Sequence, residues 1–347
     1  LVLRNLMRHE DLMKQTRAKT WSESDEAAIA GTLIDVPSAE AALFLSSYLK
    51  TKSLAKEKTQ LGYQQAIRFL PASQVDAFIL QAKSTTLPDV DQETMKFRGL
   101  QEGLASRGGK GSPAIFESWG KEIAENLLKK YPAGYRPVSE EIFNQQKFAL
   151  QLAGDYKARG KEESVRAFID GSNKVHPELV ATALRAIFKM GSEQVYPLAG
   201  QYLGADSTGQ ELRKLVVAVL GEFPTAASLK VLAGITKAPP ALETLVATAL
   251  AGSAEGRKII FDHVRSGQYM VRTLVDPRVE ERIHINISKQ QQKEYDELTA
   301  NISPVSEERQ KLIDERLREF KKFKPTTIQL DSGQIVYGNN CGVCHRK

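Results

Sequence analysis

A chain of 347 residues with 41% hydrophobic content is long enough for two or three ordinary domains and apolar enough for a packed core, which excludes disorder as the default state. Aromatic residues make up only 7% of the chain while Ala, Leu, Glu, Lys and Gln abound, a balance that favours helices over a sheet. The net charge of +6 arises from 48 Lys and Arg interleaved with 42 Asp and Glu, the pattern of a solvated mixed surface rather than of a nucleic-acid face. No apolar run approaches the roughly 20 residues needed to cross a bilayer, so direct membrane insertion of this segment is not expected.

The chain opens at Leu1 inside a helical pattern (Leu1, Leu3, Leu6, Met7), from which further upstream sequence is expected. Ser22 to Asp25 has capping-box spacing and opens a helical run, and Pro37-Ser38 opens another with Ala41, Ala42, Phe44, Leu45, Tyr48 and Leu49 along one side. Ile67, Phe69 and Leu70 continue the pattern to a break at Pro71, after which Val75, Phe78, Ile79 and Ala82 form the next stripe. Residues 83–113 are weaker, with Pro88 early and Arg107-Gly-Gly-Lys-Gly-Ser-Pro113 late, and read as a loop or sub-domain joint. Gly103 and Gly108 have the outer spacing of a phosphate loop, but Gly109 stands where Lys is needed and no strand precedes it, so nucleotide binding is set aside.

From Pro177 to Gly267 the chain repeats itself. Pro177-Glu-Leu-Val-Ala-Thr-Ala-Leu184 is echoed by Gln210-Glu-Leu-Arg-Lys-Leu215 and by Pro240-Ala-Leu-Glu-Thr-Leu245, each followed after a Gly or Pro break by a second apolar helix. Leu179, Leu212 and Leu242 lie 33 and then 30 residues apart, and neither the TPR nor the ankyrin consensus is present. The expected fold is therefore all-α, an irregular HEAT-like α-solenoid in which each helical hairpin buries its apolar face against its neighbours. Asp276–Val279 and Ile283–Ile287 then read as a short, irregular connection. A polar helix is expected from Ser306 to Phe323, with Leu312, Ile313, Leu317 and Phe320 on one side and Arg316, Arg318, Lys321 and Lys322 near the negative end of its dipole. The expected units are 1–105, 112–270, a connecting segment 271–328 and a last unit 329–347.

The chemistry sits in the last unit. Both cysteines of the chain lie there, three residues apart, which excludes a disulfide framework. Cys341-Gly-Val-Cys344-His345 is the attachment pattern of c-type haem: two thiols add to the vinyl groups and the adjacent imidazole lies under the iron as proximal ligand. A half zinc site would need two more ligands, and His9, His176, His263 and His284 are scattered singly. A thioredoxin-like pair would follow a strand, which a helical chain does not supply. No nucleophile–base set or carboxylate cluster emerges from residues 1–330, so this segment is expected to be non-catalytic. The spacing Gly333-x-x-x-Tyr337-x-x-x-Cys341 resembles the N-terminal helix of class I cytochromes c.

Three segments, Ile29 to Ala42, Asp276 to Arg282 and Gly333 to His345, carry a resemblance to the C-terminal half of the large haem-binding proteins of the Planctomycetes and Verrucomicrobia type described as membrane-bound dehydrogenases. In those proteins a β-propeller precedes HEAT-like helices and a C-terminal cytochrome c domain. The resemblance implies that Cys341 and Cys344 carry haem c, that His345 is the proximal iron ligand, and that the site lies in the periplasm. It further implies electron transfer through that haem, with an upstream dehydrogenase domain or another redox protein as partner and the helices as scaffold between them. The alternative is a HEAT-like protein–protein interaction scaffold without haem. Only Arg346 and Lys347 follow His345, and Met7, Met13, Met95, Met190 and Met270 all lie upstream on stretches where they are expected to fill core gaps. The chain is therefore expected to be a fragment holding the first helix of a truncated cytochrome domain, with water or an adventitious ligand opposite His345.

Overall fold

Nineteen α-helices and two short 3-10 segments make up the regular structure of a computed structural model that describes residues 5, 7–85, 89–108, 113–135, 139–170, 175–204, 208–236, 238–302, 307–322 and 327–340; no strand occurs among these residues. The chain is thus all-α, as composition and periodicity indicate. None of the described helices is long and apolar enough to cross a membrane.

Helix starts follow the side-chain chemistry. The Ser22 hydroxyl accepts from the Asp25 N–H at 3.2 Å and opens α2 (Glu23–Leu33), which follows α1 (Glu10–Ala18), and Ser38 does the same for Ala41 at 3.1 Å to open α3 (Ala39–Thr51). The stripe on α3 is buried as its spacing requires, with Leu45 and Ala41 fully enclosed. The next pair is α4 (Lys56–Phe69) and α5 (Ala72–Ser84).

The weak stretch 83–113 is where the structure corrects the sequence reading. Residues 90–106 are not a loop but a long helix, α6 (Val90–Ser106), capped by Asp89 and packed along α4. Its inner face carries Lys96, Thr94, Gly99 and Gly103 beside Phe97, Leu100 and Leu104, so an apolar count underrates it. The two glycines let the helix backbones touch: a Cβ at Gly99 would lie 2.3 Å from the Gln60 carbonyl oxygen, and one at Gly103 would lie 2.5 Å from that of Gln64. Phe97 then anchors an aromatic cluster with Phe116, Trp119 and Tyr156, its ring centroid 5.2 Å from that of Trp119.

Beyond α7 (Pro113–Lys130), α8 (Glu140–Asp155) and the single-turn α9 (Glu162–Arg166), the three repeated segments form α10 (Pro177–Met190), α12 (Gln210–Glu222) and α14 (Pro240–Ala251). Each is followed by a second helix, α11 (Val195–Gly204), α13 (Ala226–Ala233) and α15 (Ala254–Arg265). In chain order α8 packs on α10, α10 on α12 and α12 on α14. Small residues set these crossings: a Cβ on Gly154 would lie 2.7 Å from the Ala186 Cα, and one on Gly221 would lie 2.9 Å from the Ala249 Cβ. Leu184, Val216, Leu220, Val246 and Leu250 fill the space between them with no exposed surface. Ion pairs tie successive helices at the surface, Lys147 to Glu178 at 2.8 Å and Arg185 to Glu222 at 2.7 Å. Such exposed pairs fix register and contribute little stability, about 0–1 kcal/mol each.

A second correction concerns the connection after the repeats. Residues 277–284 form a capped helix, α16 (Pro277–His284), with Asp276 accepting from the Arg278 N–H at 3.1 Å, Pro277 at its first position, and Val279 and Ile283 fully buried one turn apart. It leads through α17 (Lys289–Thr299) to the expected polar helix, α18 (Glu307–Lys322), on which Leu312, Leu317 and Phe320 are exposed. The last element is α19 (Thr327–Asn340).

Candidate functional site

The segment singled out by its chemistry is Cys341 to His345, and Cys341, Cys344 and His345 lie outside the described residues. What precedes them is described. Helix α19 runs to Asn340, the residue before Cys341, and places Gly333 and Tyr337 one turn apart on one face. A Cβ on Gly333 would meet nothing within 4 Å, and Leu330 and Ile335 are 56% and 64% exposed. In chemistry and sequence spacing the donor set is one that a c-type haem takes, two thiols three positions apart with an imidazole next to the second.

Three of the other four histidines have local roles. His176 caps α10 by accepting from the Glu178 N–H at 3.3 Å and packs edge-on against Phe143, while His263 stacks on Tyr269 and His284 lies edge-on to Tyr295. Among the described residues no three His, Cys, Asp or Glu side chains converge as a metal site. Of the methionines, Met7, Met13 and Met190 are buried in the core. Met270 departs from the expectation: it is 50% exposed, off any α-helix, with its N–H held by the Glu243 carboxylate at 3.0 Å.

Several cations point inward, and helix ends explain them. The fully buried Lys96 ammonium donates to the carbonyls of Ala82 and Thr85 at 2.8 and 2.6 Å, at the end of α5, and pairs with Glu93 at 2.8 Å. Arg107 donates to the carbonyls of Ile67 and Leu70 at 2.6 and 2.8 Å, at the end of α4. Buried Arg257 donates to the carbonyls of Ala251, Ile285 and Asn286 at 3.1, 3.4 and 3.3 Å, serving the ends of α14 and α16 together, and to Gln291 at 3.0 Å. Each satisfies carbonyls that a helix terminus leaves without partners, at the negative end of its dipole. Arg257→Lys is expected to cost about 1–2 kcal/mol, because one ammonium cannot reach acceptors on three segments; a thermal melt matching that of the wild-type protein would show that the fork is dispensable.

Open grooves line the surface among the described residues. One, about 560 Å³, lies between α11 and α13 and includes Leu203, Arg213, Lys230 and Ile235. A second, about 360 Å³, lies between α6 and α8 and includes Arg98, Gln101, Glu102, Lys147 and Phe148. The second escaped sequence reading because its residues come from segments about 45 positions apart and look like ordinary solvated helix faces. The one local signal is an Arg flanked by apolar Phe97 and Leu100 on the buried side of its helix. No protein-family model, curated protein or solved structure matches the chain.

Proposed function

We propose that the chain transfers electrons through a covalently bound c-type haem, held by thioether bonds to Cys341 and Cys344 with His345 as proximal ligand, and that the helical repeats act as a scaffold. The observation that carries this reading is the Cys341-x-x-Cys344-His345 pattern, continued upstream by Gly333 and Tyr337 on α19. When bound, the group supplies one-electron redox chemistry, and the axial ligands tune its potential. The residues of this chain have two tasks: the thiols fix the group covalently, and His345 sets the proximal donor. The ordered succession α8, α10, α12 and α14, each with a shorter helix behind it, supports reading the body of the chain as an irregular HEAT-like solenoid. On this reading the chain is related to the haem-binding dehydrogenase-like proteins named above, works in the periplasm, and exchanges electrons with a dehydrogenase domain or another redox protein.

The test is in-gel haem staining after denaturation of protein made alongside a cytochrome c maturation system. The expected result is a stained band that disappears completely when Cys341→Ala and Cys344→Ala are combined. An unstained wild-type band, from cells that stain a control cytochrome, would favour the other reading, an interaction scaffold without haem.

A further inference from the structure

We propose that the groove between α6 and α8 binds an acidic peptide, taking the carboxylate of a Glu or Asp side chain on the Arg98 guanidinium. This assignment is independent of the haem reading.

Arg98 differs from the other inward cations. Lys96, Arg107 and Arg257 spend their donors on helix-end carbonyls, whereas Arg98 has a single hydrogen bond, to the Asn144 carbonyl at 3.4 Å through Nη2. Its Nε is shut away from solvent without a partner, and its Nη1 makes no hydrogen bond among the described residues. No carboxylate among the described residues lies within ion-pair distance of it. Glu102 shares the groove wall, but both of its oxygens accept from the Gln60 amide, at 2.9 and 3.1 Å. Lys147 is already paired with Glu178 at 2.8 Å. Of the two cations of the groove, Arg98 rather than Lys147 lacks an ion pair among the described residues, and the Glu102 carboxylate on the same wall offsets its charge in part. Burial holds its pKa below the ordinary arginine value, opposed only by Glu102.

Arg98 is half-buried, and a guanidinium without a carboxylate partner gains charge-assisted hydrogen bonds when an anion arrives. The guanidinium is also held ready, 3.9 Å from the centre of the Phe148 ring, so its fork loses little freedom on pairing. A carboxylate can take the Nη1 and Nη2 edge of that fork, the side away from the enclosed Nε. Glu102 on the same wall decides between anions, because it repels a dianionic phosphate more strongly than a monoanionic carboxylate. The amides of Gln101, Asn144 and Gln151 line the rest of the groove and suit the peptide groups flanking an acidic side chain. Tyr156 helps to fix that wall, its hydroxyl accepting from the Gln101 amide at 2.9 Å.

The full chain would be titrated with a short capped peptide carrying one Glu among Gly and Ser, with its Gln counterpart, with free glutarate and with inorganic phosphate. Binding would be followed by calorimetry and by the arginine Nε–H signals in NMR spectra. The Glu peptide is expected to bind and to shift the Arg98 signal, with affinity falling about tenfold or more for the Gln peptide and for Arg98→Lys, the loss set by one charge-assisted hydrogen bond. Glu102→Gln should tighten binding. Arg98→Lys keeps charge and bulk, and an unchanged circular dichroism spectrum would show that its weakening is not unfolding. The proposal is overturned if no saturable binding is seen up to about 1 mM, if the Gln peptide or Arg98→Lys binds equally well, or if phosphate binds more tightly than the Glu peptide. Glutarate binding as tight as the peptide would likewise overturn the peptide assignment in favour of a free carboxylate.

Discussion

Lys96→Ala is expected to lower stability by about 3–5 kcal/mol, the range for breaking a buried ion pair from one side. Lys96 is fully buried, and its ammonium meets three acceptors within 2.8 Å: the carbonyls of Ala82 and Thr85 and the Glu93 carboxylate. The alanine leaves the two carbonyls without that donor, removes the cation from Glu93, which keeps the Trp119 Nε1–H at 2.9 Å, and opens a cavity beside Trp119, whose ring the ammonium faces at 5.2 Å. Lys96→Met separates the two effects, since it keeps most of the volume and removes the charge. It should cost less than the alanine, yet still about 1–3 kcal/mol, because the carbonyls stay buried and unpaired. Burial pulls the Lys96 pKa below its ordinary value, opposed by Glu93. In the window between those two values the unfolded chain holds more protons than the folded one, so the stability advantage of wild type over Lys96→Met should widen as pH rises. Chemical denaturation of the three proteins across alkaline pH checks both magnitude and sign. A narrowing gap would contradict the desolvated ammonium.

Gly103→Ala is expected to destabilise by about 1–3 kcal/mol, the cost of overpacking a close helix contact. The new methyl would sit 2.2 Å from the Ile67 Cγ2 and 2.5 Å from the Gln64 carbonyl oxygen, and the second of these is backbone, so α4 and α6 must part. The sign is diagnostic, because alanine ordinarily favours a helix over glycine by about 1 kcal/mol. Gly200 provides the control: it also lies within a helix, but a Cβ there would meet nothing within 4 Å. Gly200→Ala should therefore raise the melting temperature while Gly103→Ala lowers it. Two changes of the same sign would mean that α4 and α6 do not approach backbone to backbone.

These positions also mark where sequence reading worked and where it failed. The helices from Pro177 onward were legible because Leu212 with Leu215 and Leu242 with Leu245 stand at helical spacing and proline stands at the first position of α10 and α14. Helix α6 was not, because Gly99 and Gly103 make the closest contact with α4 and a buried lysine sits beside Phe97, Leu100 and Leu104, so residues that count as breakers or surface dilute its hydrophobic pattern. Gly99-x-x-x-Gly103, two glycines on one helix face, was the signal available. Helix α16 was missed for its brevity, although Asp276-Pro277 announces a capped start and Val279 with Ile283 supplies the buried face. The Cys341-Gly-Val-Cys344-His345 pattern is local in sequence and lies outside the described residues, whereas the Arg98 groove exists only once α6 and α8 are brought together.

Buried cations at helix ends also change the meaning of the positive charge. Lys96 and Arg257 contribute to the net charge of +6, yet both are buried and their charges serve carbonyls inside the protein, and half-buried Arg107 likewise spends its donors on carbonyls. The basic balance of the chain therefore does not by itself argue for an acidic ligand, and the Arg98 groove rests on its own geometry.

The haem reading stands on the five residues from Cys341 to His345, and the intact mass of the denatured protein tests it most directly. Protein produced with a cytochrome c maturation system should carry the added mass of one haem, and fragmentation should locate it on the peptide containing Cys341 and Cys344. A wild-type mass equal to that of the polypeptide alone, from cells that load a control cytochrome, would contradict it.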